Sequence, residues 1–223
     1  MSSVVVLKVG GASTGGVAEA VAALRAAGHS VCVVHGAGPQ ISLEMERRGL
    51  DVQFVGGRRV TTPEGLEVVR ESFEAVNAAV CAAIGDDAVS LAGDEAGLEA
   101  ELMPELGLVG RPVPSAPPAV LAALAAGQVP VLSPLARGPL NVNADEAASA
   151  LAVGIGAERI QFLTDVPGVF HDGRLVRSIS AGRAESLVGD GTFEGGIVPK
   201  LLAAAHAAHS GLVAEIGLTV VVA

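Results

Sequence analysis

The sequence contains no Trp, no Tyr and only five Phe among its 223 residues. Single-stranded nucleic acids are gripped largely by stacking on aromatic rings. A formal net charge of -10 also denies the chain the basic face that phosphate backbones and anionic membranes require. Cysteine is nearly as scarce. Cys32 and Cys81 both sit in apolar surroundings, which reads as two reduced core thiols rather than a disulfide frame or a metal site. No apolar run reaches the roughly 18 residues of a membrane span. The amino terminus, with Lys8 inside an apolar strand pattern, lacks the basic-then-apolar order of a signal peptide. A cytoplasmic protein with neither nucleic-acid nor membrane partners is expected.

Lysine is rarer still than expected for a charged chain. Of the fourteen basic residues only Lys8 and Lys200 are lysines; the other twelve are arginines. In a composition so biased toward Arg and Ala, two retained lysines suggest positions where a compact ammonium serves and a broad guanidinium does not.

What the chain has is apolar material. Half of its residues are hydrophobic, enough for one large domain or two closely joined lobes. Short β-branched runs alternate with longer Ala- and Leu-rich stretches, the pattern of a mainly parallel sheet with covering helices. Strands are expected at 4–9, 31–35, 88–91, 129–133, 159–163 and 218–222. Helices are expected at 17–27, 39–48, 63–84, 118–126, 144–154, 182–188 and 197–209. Thr62 before Pro63 marks a helix start, because the hydroxyl caps the first turn and Pro suits the first helical position. Gly56-Gly57 and Asp172-Gly173 each separate two short runs and predict hairpins at 52–60 and 169–176. A lobe boundary near residue 136 divides the chain into 1–135 and 136–223, with the sheet continuous across it.

Five motifs carry candidate chemistry. LKVGGAST, residues 7–14, runs a strand holding Lys8 into Gly10-Gly11, where glycines let backbone N–H groups approach an anion; the plainer reading is a strand-to-helix turn with Lys8 reaching solvent. In VVHGAGPQIS, residues 33–42, the N–H groups of Gly36 and Ala37 and the positive end of the following helix suit a carboxylate or phosphate. Read as a dinucleotide fingerprint, the same string lacks its third glycine, and Asp51 comes too early for the ribose-binding acid. His35 reads as a packed or turn-bonding histidine and receives no role. LNVNADEAASALA, residues 140–152, crowds Asn141, Asn143 and Asp145 into a helix start, where caps alone favour such residues but a ligand suits them as well. FLTDVPGVF, residues 162–170, ends a buried strand in Thr164, Asp165, Pro167 and Gly168, which a plain turn explains equally. GGIVPKLLAAAHA, residues 195–207, puts Lys200 in the first turns of a helix, where a cation opposes the dipole unless an anion lies alongside.

Taken in order, LKVGGA, HGAGPQI, FVGGRRVTTPE, NVNADEAASALA, FLTDVPGVF and GGIVPK resemble the motif series of the amino acid kinase family, in its acetylglutamate-phosphorylating, arginine-pathway branch. The likeness runs from Val4 to about Leu202. It implies a three-layer α/β/α sandwich with a central, mainly parallel sheet. The first lobe would hold N-acetyl-L-glutamate and the second ATP, with Mg²⁺ carried by the nucleotide. By motif, Lys8 and Lys200 would flank the phosphoryl group in transfer, and Asp145 would hold both ammonium groups. Gly10 and Gly11 would offer N–H groups to the phosphate, and Gly36 and Ala37 to the reacting carboxylate. Arg59 would grip the substrate's α-carboxylate in two-pronged fashion, with Asn141 assisting, while strand alternation turns Arg58 to the opposite face. Thr164, Asp165 and Gly168 would line the nucleotide pocket.

A γ-carboxylate with a pKa of about 4.3 is already ionised at neutral pH, so the implied reaction needs no general base, and the sequence offers no Ser–His or Cys–His constellation. Ala37 stands where the family's turn usually has Gly, so an unusual dihedral there would be compromised. The compact region 85–113 and the segment after Gly211, shorter than usual, also depart from the series. A homodimer joined through the 63–84 helix is expected, without the extra amino-terminal helix of arginine-sensitive relatives and hence without arginine feedback. The remaining alternatives are action on another acyl-amino acid or a carrier-linked one, and a catalytically idle binding member.

Overall fold

The structure, a computed structural model, describes residues 3–10 and 16–223. Its centre is the strand Val4–Val9, apolar except for Lys8 because it is covered on both faces. It pairs in parallel with Ser30–His35 on one side and Arg159–Leu163 on the other. The full sheet has eight strands, in the order Ser178–Ser180, Thr219–Val222, Val213–Ile216, Arg159–Leu163, Val4–Val9, Ser30–His35, Val129–Ser133, Ala88–Ala92. Every neighbouring pair is parallel except Val213–Ile216 against Thr219–Val222. From Val4–Val9 the chain builds first to one side and later to the other, so the order of the sheet switches at its centre. In open α/β sheets such a switch leaves a crevice at the carboxyl ends of the strands.

Alternation along the central strands decides which helices each residue meets. Leu7, Val9, Val31 and Val33 face the helices Val17–Ala26, Gly38–Arg47 and Pro63–Ile84. Val6, Cys32 and Val34 face the opposite layer, which contains Pro118–Ala125, Ala144–Gly154, Ala181–Gly189 and Ile197–His209. Lys8, two residues after Val6, points into that second layer. The helices there are rich in alanine, and Ala147, Ala148, Ala204 and Ala208 are fully buried. Small side chains let Ala144–Gly154 and Ile197–His209 approach closely, and Ser149 Oγ donates across the contact to the carbonyl of Ala203 at 2.9 Å.

The elements expected at 4–9, 129–133, 159–163, 63–84, 144–154 and 197–209 have those bounds, and the other expected helices and strands differ by a residue or so at their ends. Thr62 Oγ1 accepts from the Gly65 N–H at 3.0 Å as the cap of Pro63–Ile84. Both hairpins form, pairing Phe54–Val55 with Arg58–Arg59 and Phe170–His171 with Arg174–Leu175. Gly56 and Gly57 take φ of +55 and +77, which a tight turn between twisted strands requires. Not foreseen were Ser178–Ser180, Val213–Ile216 and a second sheet ordered Ala100–Leu102, Val109–Pro112, Leu140–Val142, Leu135–Ala136. These strands span two to four residues, too few for an alternating pattern to stand out. The main sheet contains strands from both sides of residue 136, so the two segments share one framework. Among the described residues no helix is long and apolar enough to cross a membrane.

Candidate active site

At the carboxyl ends of the central strands a cleft of about 490 Å³ opens. Lys8 and Gly10 reach it from Val4–Val9, and Gly36 and Ala37 from the turn after Ser30–His35. Arg59 comes from the hairpin, Asn141 and Asp145 from the strand-to-helix turn, Thr164 and Asp165 from the end of Arg159–Leu163, and Lys200 from Ile197–His209. Gly11 lies outside the described residues. Gly168 is not on the cleft wall. Its φ is +154, and a Cβ there would stand 2.7 Å from Thr219 Oγ1 and 2.9 Å from Leu175 Cδ1, so close packing accounts for the glycine.

Asp145 sits near the start of Ala144–Gly154, whose cap is Asn143: its Oδ1 accepts from the N–H groups of Asp145 at 2.9 Å and Glu146 at 3.2 Å. The Asp145 carboxylate meets Lys8 Nζ at 2.9 Å and Lys200 Nζ at 3.3 and 3.4 Å. Lys8 and Asp145 are buried, at 4% and 5% exposure. Burial pushes the Lys8 pKa below the ordinary lysine value of 10.5, with Asp145 opposing the shift and Lys200 adding to it. Two ammonium groups thus share one carboxylate at the cleft floor. The surplus positive charge faces the cleft, where an anion would be attracted.

Arg59 is likewise buried, at 6% exposure. One guanidinium nitrogen donates to the Gly38 carbonyl at 3.1 Å and to Ser42 Oγ at 2.8 Å, the other to Met45 Sδ at 3.4 Å, and the Phe54 ring lies 4.6 Å from its central carbon. Among the described residues it has no carboxylate partner. A buried guanidinium without a counter-ion is costly, and that burial lowers its pKa. Asn141 Nδ2 donates to Thr61 Oγ1 at 3.0 Å, and the Thr61 hydroxyl donates to the Arg59 carbonyl at 2.8 Å, which fixes the backbone from which Arg59 projects.

The Gly36 N–H donates to the Val9 carbonyl at 2.9 Å and so continues the sheet ladder. Ala37 takes φ of −141 and ψ of 28, a conformation open to alanine, so the expected strain at this departure from the motif series does not arise. Ala37 and Gly38 stand at the start of Gly38–Arg47, which has no side-chain cap, where backbone N–H groups lack intrahelical partners. Asn143, which the sequence offers only as a cap or ligand candidate within its motif, serves as the cap. Arg58, expected on the face opposite Arg59, also lines the cleft, as do Phe54, Phe73 and Pro199, to which the sequence gives no role. Phe54 and Phe73 are two of only five Phe, a compositional signal, and Phe54 stands two residues before Gly56 in the hairpin.

The sequence profile described as the amino acid kinase family matches residues 3–217. An acetylglutamate kinase of Rubrobacter xylanophilus is 40% identical over 221 residues, covering 95% of this chain and 87% of its own. An acetylglutamate kinase of Solibacter usitatus is 44% identical over 204 residues, covering 86% and 79%. Among solved structures, a protein of Streptococcus mutans UA159 superposes with a TM-score of 0.88 at 24% identity, covering 100% of this chain and 99% of its own.

Proposed function

The chain belongs to the amino acid kinase family, and we propose that it transfers the γ-phosphoryl group of MgATP to the γ-carboxylate of N-acetyl-L-glutamate, a step of arginine biosynthesis, in the cytoplasm. The observation that carries this reading is the sharing of Asp145 by Lys8 and Lys200 at the floor of a cleft whose wall holds Arg59, which has no carboxylate partner among the described residues. The names of relatives at 40% and 44% identity support the choice of substrate.

The chemistry to be overcome is repulsion between two anions, a carboxylate and a triphosphate. Positioning and positive charge answer it, and no general base is needed because the acceptor is ionised. Lys8 and Lys200 stabilise the charge that spreads over the phosphoryl oxygens during transfer. Asp145 holds the two ammonium groups at a fixed separation. Arg59 grips the α-carboxylate of the acyl-amino acid as a two-pronged donor, with Asn141 steadying that wall. Ala37, with Gly38 beside it, directs helix-start N–H groups at the reacting carboxylate; Gly36, its own N–H committed to the sheet, supplies the close turn. Gly10, and with it Gly11, approach the phosphates, while Thr164 and Asp165 border the nucleotide. Mg²⁺ carried by the nucleotide would supply charge neutralisation on the phosphate oxygens. Residues 1–135 hold the acyl-amino acid and 136–223 the nucleotide. The assembly is a homodimer joined through Pro63–Ile84, which light scattering tests.

The deciding experiment is ADP release at saturating MgATP with acetylglutamate, glutamate, aspartate and carbamate compared side by side. Turnover with acetylglutamate at least a hundredfold above the others is the expected outcome. Turnover confined to another of the four, or none with any, would overturn the reading.

A further inference from the structure

Arg58 and Arg59 are neighbours on one short strand, and alternation sends them to two different helix starts. Arg59 goes to Gly38–Arg47, as described. Arg58 goes to Ala144–Gly154, where its Nη2 lies 2.6 Å from Glu146 Oε1 and its Nε 3.1 Å from Glu146 Oε2, a two-pronged pair. The two side chains are 23% and 24% exposed, so solvent screens the pair only in part. A second tie lies beside it. Asn143 Nδ2 donates to the Gly57 carbonyl at 3.1 Å, in the turn of the same hairpin. Asn143 and Glu146 flank Asp145, and because successive helical residues point about 100° apart, a single helical turn presents Asp145 to the lysines and Glu146 to the hairpin.

The hairpin needs such ties. It pairs only Phe54–Val55 with Arg58–Arg59, and an isolated two-stranded ribbon is marginal by itself. Phe54 and Val55 are 55% and 56% exposed, so little core packing holds that strand.

We propose that Arg58, Glu146 and Asn143 are positioning residues that fasten the hairpin carrying Arg59 to the helix start carrying Asp145, so that the grip on the acyl-amino acid is set by the same rigid unit as the catalytic carboxylate. This inference rests on the substrate reading above. It extends that reading by naming a specificity-determining contact that acts on the acyl-amino acid through the placement of Arg59. Loosening it lets Arg59 wander and weakens acyl-amino acid binding, while the nucleotide side is left as it was.

The test uses Glu146→Gln, Arg58→Met and the double variant, with steady-state constants for acetylglutamate and for MgATP and amide exchange of residues 52–60 measured without ligands. Each single variant is expected to raise KM for acetylglutamate about fivefold, a modest factor suited to a partly screened pair. KM for MgATP should stay within about twofold. The double variant should resemble either single one, because both remove the same contact, and hairpin exchange should quicken in all three. Effects that multiply in the double variant, or equal shifts in both substrate constants, would overturn the proposal in favour of a diffuse charge effect. Should the protein prove not to use acetylglutamate, the exchange measurement decides the tether alone: unchanged protection of 52–60 in Glu146→Gln sinks it, and faster exchange upholds it.

Discussion

Lys8 reaches Asp145 across the contact between the central strand and a covering helix, Nζ to Oδ1 at 2.9 Å, with their side chains only 5% and 7% exposed. Water is largely excluded from this pair, so its charges are screened much less than those of a surface pair. The chemistry proposed for the cleft depends on this contact and on its counterpart from Lys200.

Lys8→Ala and Lys200→Ala should each lower kcat by about a hundredfold to a thousandfold, as expected for loss of one preorganised charged donor. Substrate constants should move less. Lys8→Arg should fail to restore the rate, because a planar guanidinium does not fit the place of an ammonium between Asp145 and a phosphate. Rates within about threefold of the parent for either alanine variant, on protein shown folded by circular dichroism, would remove the charge-stabilising role.

Activity should decline on the alkaline side before the ordinary lysine value of 10.5 is reached, since burial lowers the Lys8 pKa and only its protonated form carries the needed charge. Asp145 opposes that shift. In Asp145→Asn the alkaline limb should therefore move to still lower pH, on top of a reduced kcat. A limb unmoved in the Asn variant would dissociate the titration from this pair.

Arg59→Lys should raise KM for the acyl-amino acid by roughly ten- to a hundredfold, because a lysine cannot reproduce two parallel hydrogen bonds to a planar carboxylate. Arg58→Lys should have the smaller effect, since its partner is Glu146 rather than the substrate. The opposite ranking would exchange the two assignments.

His35 should make the fold acid-sensitive. It is fully buried against Phe73, and neither ring nitrogen has a hydrogen-bond partner of good geometry among the described residues. Burial pulls its pKa down to about 4, the Gly36 backbone offsetting a part and Lys8 adding to the fall. The folded state thus keeps this ring neutral while the unfolded chain takes up a proton near pH 6.5. Between pH 6.5 and about 4 the unfolded state binds more protons, so stability is lost as pH falls. From pH 7 to pH 5 that loss amounts to roughly 2 kcal/mol. Urea unfolding followed by circular dichroism should show this decrement in the parent and a much smaller one in His35→Leu; equal decrements in both would rule it out.

Much of the site is written locally. The scarcity of lysine singles out Lys8 and Lys200, and their glycine-flanked motifs put each at a strand or helix end. Gly56-Gly57 needs positive φ at both positions, so the hairpin follows from turn chemistry alone. Thr62-Pro63 fixes a helix start for the same kind of reason. Strands and helices several turns long announce themselves through alternation or Ala-rich periodicity, which is why Val4–Val9 and Pro63–Ile84 were legible to the residue.

What only the tertiary structure decided is which distant segments meet. Nothing near Glu146 in the chain signals Arg58, and nothing near Asn143 signals Gly57, because these contacts exist only where one helix start comes to rest against one hairpin. The committed N–H of Gly36 depends on pairing with Val9, and the need for glycine at 168 on Thr219 and Leu175. The second sheet assembles strands of two to four residues whose pairing is fixed by neighbours rather than by their own pattern. Turn and period preferences act over a few residues along the backbone, whereas burial and hydrogen-bond satisfaction are settled between surfaces that come together only in the folded chain.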